Sequence, residues 1–290
     1  MRATRFSEIQ DWMRSLELLK QDGRCPTPGF FKPFHFVTMA LVLKELGAGS
    51  LNLPDDIVTY AARMKLWEAL GLPSPVTVQP NPGSTRFHEL TPLVDLNSVE
   101  NTAEALLGIV SNNVGRPCDE DSLQSLYVML TELLGNCHHH ARSADNLHGL
   151  TCAQSWWKGE RAQFAIADSG IGIRRSLSEN ADLIKRLAGS NSCELALRLG
   201  ISSKLNKGHA GYGLAVAKGL TDQSRDSRLF VHSYDEAVVV QDGKVTEVSK
   251  VHNGFSGTLV VFEWNTRVPL NVTSVYDSWP KPEDESDDYL

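Results

Sequence analysis

The sequence predicts an α+β protein in which a sheet-and-helix domain is preceded by a smaller, helix-rich α/β domain. Apolar residues recur every three or four positions through much of residues 6–70 and again through 98–141, as they do on the buried face of a helix. Strand-like segments separated by turn residues fill 150–167 and 228–264. Four prolines lie within 73–82, a composition typical of a connector between two folded parts.

These patterns predict four regions. Residues 1–72 would form an N-terminal domain, 73–97 a connector with an extended segment, 98–267 the main domain and 268–290 an acidic tail. A chain of 290 residues, 41% of them hydrophobic, is long enough to build two cores.

Composition narrows the class of protein. A net charge of −7 does not favour binding to nucleic acid, so we do not expect a nucleic-acid partner. The five cysteines include no CxxC pair, which favours reduced thiols over a disulfide framework. No segment has the composition of a secretory signal or the roughly 18 apolar residues of a membrane span, so we expect a cytoplasmic protein without membrane attachment.

The N-terminal region contains three helical patterns, Phe6–Leu19, Phe34–Leu46 and Asp55–Leu70. A short β-like segment, Ser50–Pro54, lies between the last two and indicates a small α/β layer. The block Phe30–Gly71 distantly resembles the STAS-like modules that accompany some bacterial ATP-binding proteins. That resemblance implies a regulatory region that binds a protein partner.

The main domain begins with two more helical patterns, Ser98–Val114 and Leu126–Ala141. In the second, Glu132 and Asn136 are four residues apart and therefore lie on one helix face. A carboxylate can polarise a water molecule, and an amide oxygen can bind a divalent metal. A solvated edge of an ordinary amphipathic helix would give the same pair.

A predicted hairpin, 150–157 with 161–167, leads directly into Asp168-Ser169-Gly170-Ile171-Gly172. The glycines let the backbone turn tightly and approach a flat ligand, while a strand-end carboxylate can accept a hydrogen bond from the exocyclic amine of adenine. A turn without any ligand is the alternative.

Further along, Gly208, Gly211 and Gly213 precede a predicted helix, Leu214–Leu220. Glycines that open a helix leave backbone amides free for phosphate oxygens, and the helix dipole favours the negative charge. Neither glycine motif matches a P-loop or G-x-G-x-x-G. Four strand-like segments follow, and Thr258 stands just before the last of them, where its hydroxyl could share a water molecule with Asp168.

Taken in order over residues 98–266, these four motifs resemble the GHKL, or Bergerat-fold, ATP-binding superfamily, which includes histidine kinases and anti-sigma serine kinases. The segment from Glu132 to Ala141 is similar to that of bacterial kinase-type members, with Cys137 in place of the usual alanine. The resemblance implies an α/β sandwich with a mixed, mostly antiparallel sheet and helices on one face. It also implies ATP and Mg²⁺ as ligands.

The resemblance implies roles for individual residues. Glu132 would orient the attacking water or hydroxyl, Asn136 would bind Mg²⁺ with His140 as its support, and Asp168 would recognise adenine. Residues 174–207 would form a lid. The adenine pocket would include Gly170 and Gly172, with Thr258 beside Asp168. The phosphates would be bound by Gly208, Gly211 and Gly213. Lys204 and Lys207 would neutralise phosphate charge or would be merely solvated side chains.

Two other interpretations remain open. His88–Leu93 is similar to the phosphoacceptor box of sensor histidine kinases but lacks one residue and the long helical hairpin, so a strand-end histidine followed by a turn is the alternative. A zinc site could use His138, His139, His140, Cys137, His148 and Cys152. Consecutive histidines on a helix point about 100° apart, which works against a shared ion.

The sequence therefore favours a regulatory switch protein that binds Mg-ATP, hydrolyses it slowly and transmits lid closure to the N-terminal region. A serine/threonine kinase of the anti-sigma type is a second hypothesis. A non-catalytic ATP-sensing module that binds protein, in phage defence or a toxin system, is a third. The unidentified protein partner would contact the N-terminal region, and a homodimer is a further expectation.

Overall fold

The structure, a computed structural model, describes residues 2–24, 27–79, 86–112, 118–140, 146–203, 212–251 and 255–280 of the 290-residue chain, with the backbone alone at His140. Within these ranges, no helix is both long enough and apolar enough to cross a lipid bilayer.

A seven-stranded sheet forms the centre of the molecule. Its strands are β1 (Phe87–Leu93), β2 (Gly149–Trp156), β3 (Arg161–Asp168), β4 (Arg228–Ser233), β5 (Glu236–Gln241), β6 (Lys244–Lys250) and β7 (Thr258–Asn265). They lie in the order β1-β2-β3-β7-β4-β5-β6, and every neighbouring pair is antiparallel. β3 and β4 run in the same direction, but β7 separates them. The α+β class is confirmed, and the sheet is wholly antiparallel where a mixed one was predicted.

One face of the sheet is covered by helices of the main domain. They are α5 (Val99–Ser111), α6 (Glu120–His140), α10 (Gly213–Gln223) and α11 (Val272–Asp277). α6 buries Leu126, Met129, Leu130, Leu133, Leu134 and Cys137, a three- and four-residue spacing that turns one stripe of the helix toward the sheet. This packing leaves the opposite edge of α6, with Glu132 and Asn136, outside the core.

The other face of the sheet is covered by the N-terminal helices. These are α1 (Phe6–Asp22), α2 (Pro33–Glu45), α3 (Asp55–Arg63) and α4 (Leu66–Leu70). α2 lies against β2 and β3 and is buried along nearly its whole length, which explains why its sequence is apolar on all sides. On β3, Ala165 and Ala167 face this layer, whereas Phe164 and Ile166 face α6. The sheet is therefore enclosed between two helical layers.

The N-terminal region departs from its prediction in two ways. Residues 50–54 form no strand, and the described part of residues 2–79 is helical without any strand, so the predicted α/β layer there is wrong. Leu51 is instead buried, and its carbonyl accepts a hydrogen bond from the indole N–H of Trp67. The predicted helix 55–70 is broken at Lys65, whose φ of 56° lies in the left-handed region. The STAS-like resemblance and the boundaries at residues 72 and 97 stay predictions.

A buried polar cluster attaches the start of the chain to the sheet. The carboxylate of Glu263 on β7 accepts hydrogen bonds from the backbone N–H of Thr4 at 3.0 Å and from its hydroxyl at 2.6 Å. Gln163 on β3 donates to the same carboxylate at 2.9 Å. Lys32, itself buried, donates to the Thr4 hydroxyl and to Glu8. The N-terminal layer is thus bonded to the central strands as well as packed on them.

The first part of the predicted acidic tail is packed into the fold. Leu270, Val272 and Val275 are buried in the core beside α6 and α10. The backbone N–H groups of Leu270 and Val272 donate to the hydroxyls of Ser122 and Ser125, each at 2.8 Å. Residues 268–280 are therefore part of the folded unit, and 281–290 lie outside the described residues.

Candidate functional site

The polar pair on α6 faces the N-terminus of α10. Glu132 is exposed and Asn136 is half-buried, one helical turn apart. At Gly213, the first residue of α10, a Cβ atom would lie 3.0 Å from the Asn136 amide nitrogen and 3.2 Å from the Glu132 Cβ. The free amides at the start of an 11-residue helix thus lie beside a carboxylate and an amide. This arrangement suits an anion together with a divalent cation.

Asp168, the last residue of β3, is buried. The backbone N–H of Gly170 donates to its Oδ1 at 2.7 Å. Thr258, its partner in register on β7, brings its backbone N–H and its hydroxyl close enough to the carboxylate to affect its pKa. The water molecule that the Thr258 hydroxyl would share with Asp168 stays a prediction.

Burial changes the acidity of this carboxylate. Desolvation raises the pKa of Asp168 to about 6, although the donor groups of Gly170 and Thr258 oppose the shift. The side chain is therefore mainly ionised at neutral pH and is a strong hydrogen-bond acceptor at the base of a cleft.

Glycines bring the surrounding backbone close to Asp168. Gly257 has a φ of 123°, and a Cβ there would lie 2.0 Å from the Asp168 carbonyl oxygen. Gly172, at φ 75°, begins the short helix α7 (Gly172–Leu177), and its Cβ would lie 2.5 Å from the Tyr234 ring. A side chain at either position would displace backbone or fill the approach to the carboxylate.

A cavity of about 250 Å³ joins these groups. Six of the predicted residues line it, namely Glu132, Asn136, Asp168, Gly172, Gly213 and Thr258. Gly170 does not line it and contributes instead through its bond to Asp168. The structure thus brings together residues that are up to 126 positions apart in the chain, from Glu132 to Thr258 (258 − 132 = 126).

Sequence reasoning missed the apolar walls of this cavity. Ile166 and Val260 lie two residues from Asp168 and Thr258 on their strands, so they share the same sheet face. Because side chains two residues apart on a strand share one sheet face, the sequence alone could have identified both residues. Cys137, which the sequence analysis named as a replacement for alanine and as a candidate zinc ligand, is a buried wall residue. Flat apolar walls with one polar acceptor are typical of a pocket for a planar base.

The segment predicted as a lid is helical where it is described. α7 is followed by α8 (Ala181–Ala188) and α9 (Ser192–Ala196), which share a small apolar core of their own. Ser176, Leu177 and Ala196 from these helices line the cavity. The predicted phosphate residues Lys204, Lys207, Gly208 and Gly211 lie outside the described residues, as does the side chain of His140, and their roles stay predictions.

The structure separates the candidate zinc ligands. Cys137 lines the cavity, whereas Cys152 points to the other face of the sheet, with its Sγ 3.4 Å from the Pro33 carbonyl oxygen. His138 and His148 do meet, with ring centroids 4.5 Å apart. Nowhere in the described part of the chain do three residues of metal-ligating type form a group.

His88 lies on β1, an edge strand, and not on a helix. Its Nε2 is 2.9 Å from the Thr91 hydroxyl oxygen, and burial lowers its pKa. His88 is therefore a strand histidine, but β1 continues to Leu93, so the turn predicted directly after it is wrong.

Comparison with known families agrees with this geometry. A family model described as a histidine kinase-like ATPase domain matches residues 97–230. The chain contains a histidine kinase-like ATPase domain. The match spans α5, α6, β2, β3, α7, α8, α9 and α10, and therefore includes Glu132, Asn136 and Asp168. It supports ATP binding, and such domains generally bind ATP with Mg²⁺. No curated protein matches the chain.

The residues of this ATPase domain fit both ligands. Asp168 offers a buried acceptor for the adenine amine, and the first residue of α10, Gly213, lies beside Asn136, so that helix amides there could bind phosphate oxygens. The amide oxygen of Asn136 is of the ligand type that Mg²⁺ prefers, and it would hold the ion. Thr258, outside the matched range, is contributed by the strand inserted between β3 and β4.

Acidification should weaken binding of the adenine ring. A protonated Asp168 carboxyl is a poorer acceptor, and about one carboxyl in ten stays ionised at about pH 5 if the pKa is near 6. We expect the affinity for adenosine, measured calorimetrically, to fall about tenfold between about pH 7.5 and about pH 5. Adenosine is used because it has no phosphate that titrates in this range. An affinity independent of pH would contradict the role of Asp168.

The raised pKa of Asp168 also makes the stability of the nucleotide-free protein depend on pH. Acidification should raise this stability, whereas it should lower the affinity for adenosine. The folded-state pKa of Asp168 lies above its ordinary value of 3.8, so the folded chain binds more protons between these two values. Its contribution to stability is present below about pH 4 and is lost as the pH rises through about 6. Ionisation of Asp168 would thus strengthen the binding of adenine and lower the stability of the free protein.

A side chain at Gly213 should displace Asn136. We expect Gly213→Val to lower the affinity for MgATP by about tenfold or more, because its Cβ and methyl groups would press on the α6 pair. Gly135→Val on α6 is the matched control, since a Cβ there meets no atom within 4 Å. Calorimetric titration of both variants checks this prediction. Equal affinities would show that the contact between α10 and α6 does not shape the site.

Proposed function

We propose that this chain is an Mg-ATP-dependent regulatory switch protein that hydrolyses ATP slowly. The observation that carries the proposal is the single cleft in which Glu132 and Asn136, the buried Asp168 and the N-terminus of α10 meet. Each group could bind a different part of ATP, and together they could bind the whole molecule.

Adenine would enter the apolar end of the cleft. Its amine would donate to the Asp168 carboxylate, which Gly170 holds in place. Ile166 and Val260 would contact the ring from the sheet. A guanine base presents a carbonyl oxygen where adenine has its amine, and two acceptors facing each other repel. The protein should therefore discriminate against GTP.

The triphosphate would lie along α10 toward Glu132. Backbone amides at the start of this helix would bind phosphate oxygens, and Asn136 would hold Mg²⁺, which neutralises phosphate charge when bound. Glu132 would orient and deprotonate the attacking water molecule. Its exposure in the cleft gives it access to water, while its backbone is fixed by the buried stripe of α6.

A path from the nucleotide to the N-terminal layer supports the switch. The ammonium group of Lys20 on α1 donates to the Ser256 hydroxyl at 3.1 Å. The next residue, Gly257, is packed against the Asp168 backbone, and Thr258 lies beside its carboxylate. A movement of the 256–258 turn on adenine binding would reach α1 through one hydrogen bond. In this proposal the helical layer 6–70 passes the state of the site to a protein partner.

Transfer of phosphate to a protein serine or threonine is the second candidate. His88 lies on an edge strand and lacks the helical setting of a phosphoacceptor. This position favours phosphate transfer to serine or threonine over autophosphorylation on histidine. In a kinase, Glu132 would orient a substrate hydroxyl in place of water.

Labelled ATP distinguishes these functions. The purified chain with Mg²⁺ and γ-labelled ATP should release inorganic phosphate slowly and should bind GTP much more weakly than ATP. Label transferred to a co-purified protein would favour the kinase, and tight binding without release would indicate an ATP-sensing module. Failure to bind ATP would overturn the proposal.

A further inference from the structure

One arginine connects helices α7 and α8 to the sheet. Arg174 on α7 donates two hydrogen bonds to the Glu236 carboxylate, Nε to Oε2 at 2.9 Å and Nη2 to Oε1 at 2.5 Å. Its guanidinium also donates to the backbone carbonyls of Leu187 at 2.9 Å and Ser190 at 2.6 Å. A single side chain thus bonds α7, the end of α8 and β5.

The acceptor of these bonds is a buried carboxylate. Glu236, at the start of β5, is 4% exposed and also accepts a hydrogen bond from the Ser192 hydroxyl of α9. Burial would raise the pKa of Glu236, but the bonds from Arg174 and Ser192 outweigh it, and the net shift is downward. A buried carboxylate that loses its cation is costly, so the pair favours one arrangement of the surrounding elements.

The position of Arg174 links this pair to the nucleotide cleft. It directly follows Ile173 and precedes Ser176 and Leu177, all three of which line the cavity. Arg174 itself does not line it, because its guanidinium is turned toward Glu236. Any effect on bound nucleotide must therefore pass through the position of α7 and of the helices that follow.

A second contact limits movement in the same place. Asn191, which caps α9, donates to the backbone carbonyls of Ala237 and Ser249 at 3.4 Å and 3.3 Å. These bonds are long and uncharged, whereas the bidentate pair is charge-assisted and therefore stronger. The backbone N–H of Ile173 on α7 also donates to the Ser233 hydroxyl of β4 at 2.9 Å, again without charge. Arg174 thus makes the charge-assisted connection between the described helices α7–α9 and strand β5.

We propose that Arg174 is a positioning residue that controls the residence time of the nucleotide, by holding α7 against the cleft through Glu236. The inference rests on the proposed function, since it requires that ATP binds beside this helix. Loss of the pair would let α7 move away from the ligand. Dissociation should accelerate, while association, which needs the cleft to be open, should change little.

The test is stopped-flow dissociation of a fluorescent ATP analogue with Mg²⁺. We expect Arg174→Ala to raise the dissociation rate constant about tenfold or more, with an association rate constant within about threefold of the wild type. Arg174→Lys should be intermediate, because an ammonium group cannot make a bidentate bond and reach both carbonyls. Arg175→Ala, an exposed neighbour on α7, is the matched control and should behave as the wild type.

A double-mutant cycle with Glu236→Gln separates positioning from general destabilisation. If the pair acts as a unit, adding Glu236→Gln to Arg174→Ala should produce little further acceleration. Should Arg174→Ala fail to fold, the dissociation rate constants of Arg174→Lys and Glu236→Gln are compared with that of the wild type instead. Dissociation unchanged in folded variants would overturn this inference alone. If the wild type fails to bind the analogue, the proposed function and this inference fail together.

Discussion

Replacing Glu132 with alanine is expected to reduce phosphate release by about 10²–10⁴-fold, the usual contribution of a general base. The affinity for MgATP should stay within about threefold of the wild type, because the proposed binding groups are Asp168, Asn136 and the α10 amides. Glu132 is exposed in the cleft, and its removal leaves the buried stripe of α6 intact. Phosphate release and calorimetric binding measure the two effects separately.

Two further variants sharpen this experiment. Glu132→Gln keeps the shape of the side chain and removes the base, so it should match the alanine variant in rate. Glu120→Ala, an exposed carboxylate at the other end of α6, should release phosphate at the wild-type rate. Normal release by Glu132→Ala would exclude Glu132 as the base, whereas a loss of binding would indicate a role in the ground state.

Replacing Asp168 with asparagine is expected to weaken ATP binding by about 100-fold. The buried carboxylate accepts a hydrogen bond from Gly170, and its other acceptor sites would include one for the adenine amine. If asparagine keeps its oxygen toward Gly170, its N–H group faces the adenine amine, and two donors that face each other in the complex cost about 2–3 kcal/mol of binding free energy. Calorimetric titration with ATP measures the loss.

Thermal unfolding shows whether the loss arises from misfolding. Burial raises the pKa of Asp168, so the free protein bears the cost of ionising it at neutral pH, and asparagine removes that cost. We therefore expect the melting temperature of the nucleotide-free variant to be no lower than that of the wild type. Asp182→Asn, on the exposed surface of α8, serves as the control. Wild-type affinity in Asp168→Asn would refute the assignment of the adenine pocket.

Local sequence patterns predicted the parts of the site that lie at element ends. α6 carries Glu132 and Asn136 on its exposed edge because its apolar spacing fixes which side is buried. β2 and β3 form the predicted hairpin, with its connection near Gly159 and its second strand ending at Asp168. These features depend on a few neighbouring residues, which a sequence displays directly.

Long-range pairing was not visible in the same way. β7 enters between β3 and β4, which places Thr258 opposite Asp168, and no local pattern specifies that register. Thr258 was predicted as a site residue, but its register opposite Asp168 was not. The lining residues Ile166 and Val260 were also missed, although the strand period places each of them on the same sheet face as Asp168 or Thr258.

The packing of the N-terminal helices on the sheet was not predicted. α2 lies against the sheet and shares its core, while the domain boundary at the proline-rich segment 73–82 stays a prediction. A signal was present, because a helix that is apolar on all sides must be covered on all sides. The strands gave a matching signal, since β3 and β7 each contain four consecutive apolar residues, Phe164–Ala167 and Leu259–Phe262, and are buried on both faces.

Hydrogen–deuterium exchange of the wild-type chain with and without MgATP tests the central claim most directly. If the cleft binds ATP, exchange should slow at the backbone of residues 132–137 on α6, 168–177 after β3 and 212–216 at the start of α10, the three segments that line it. Unchanged exchange in all three segments at saturating MgATP, or protection confined to the helical layer 6–70, would contradict the nucleotide site.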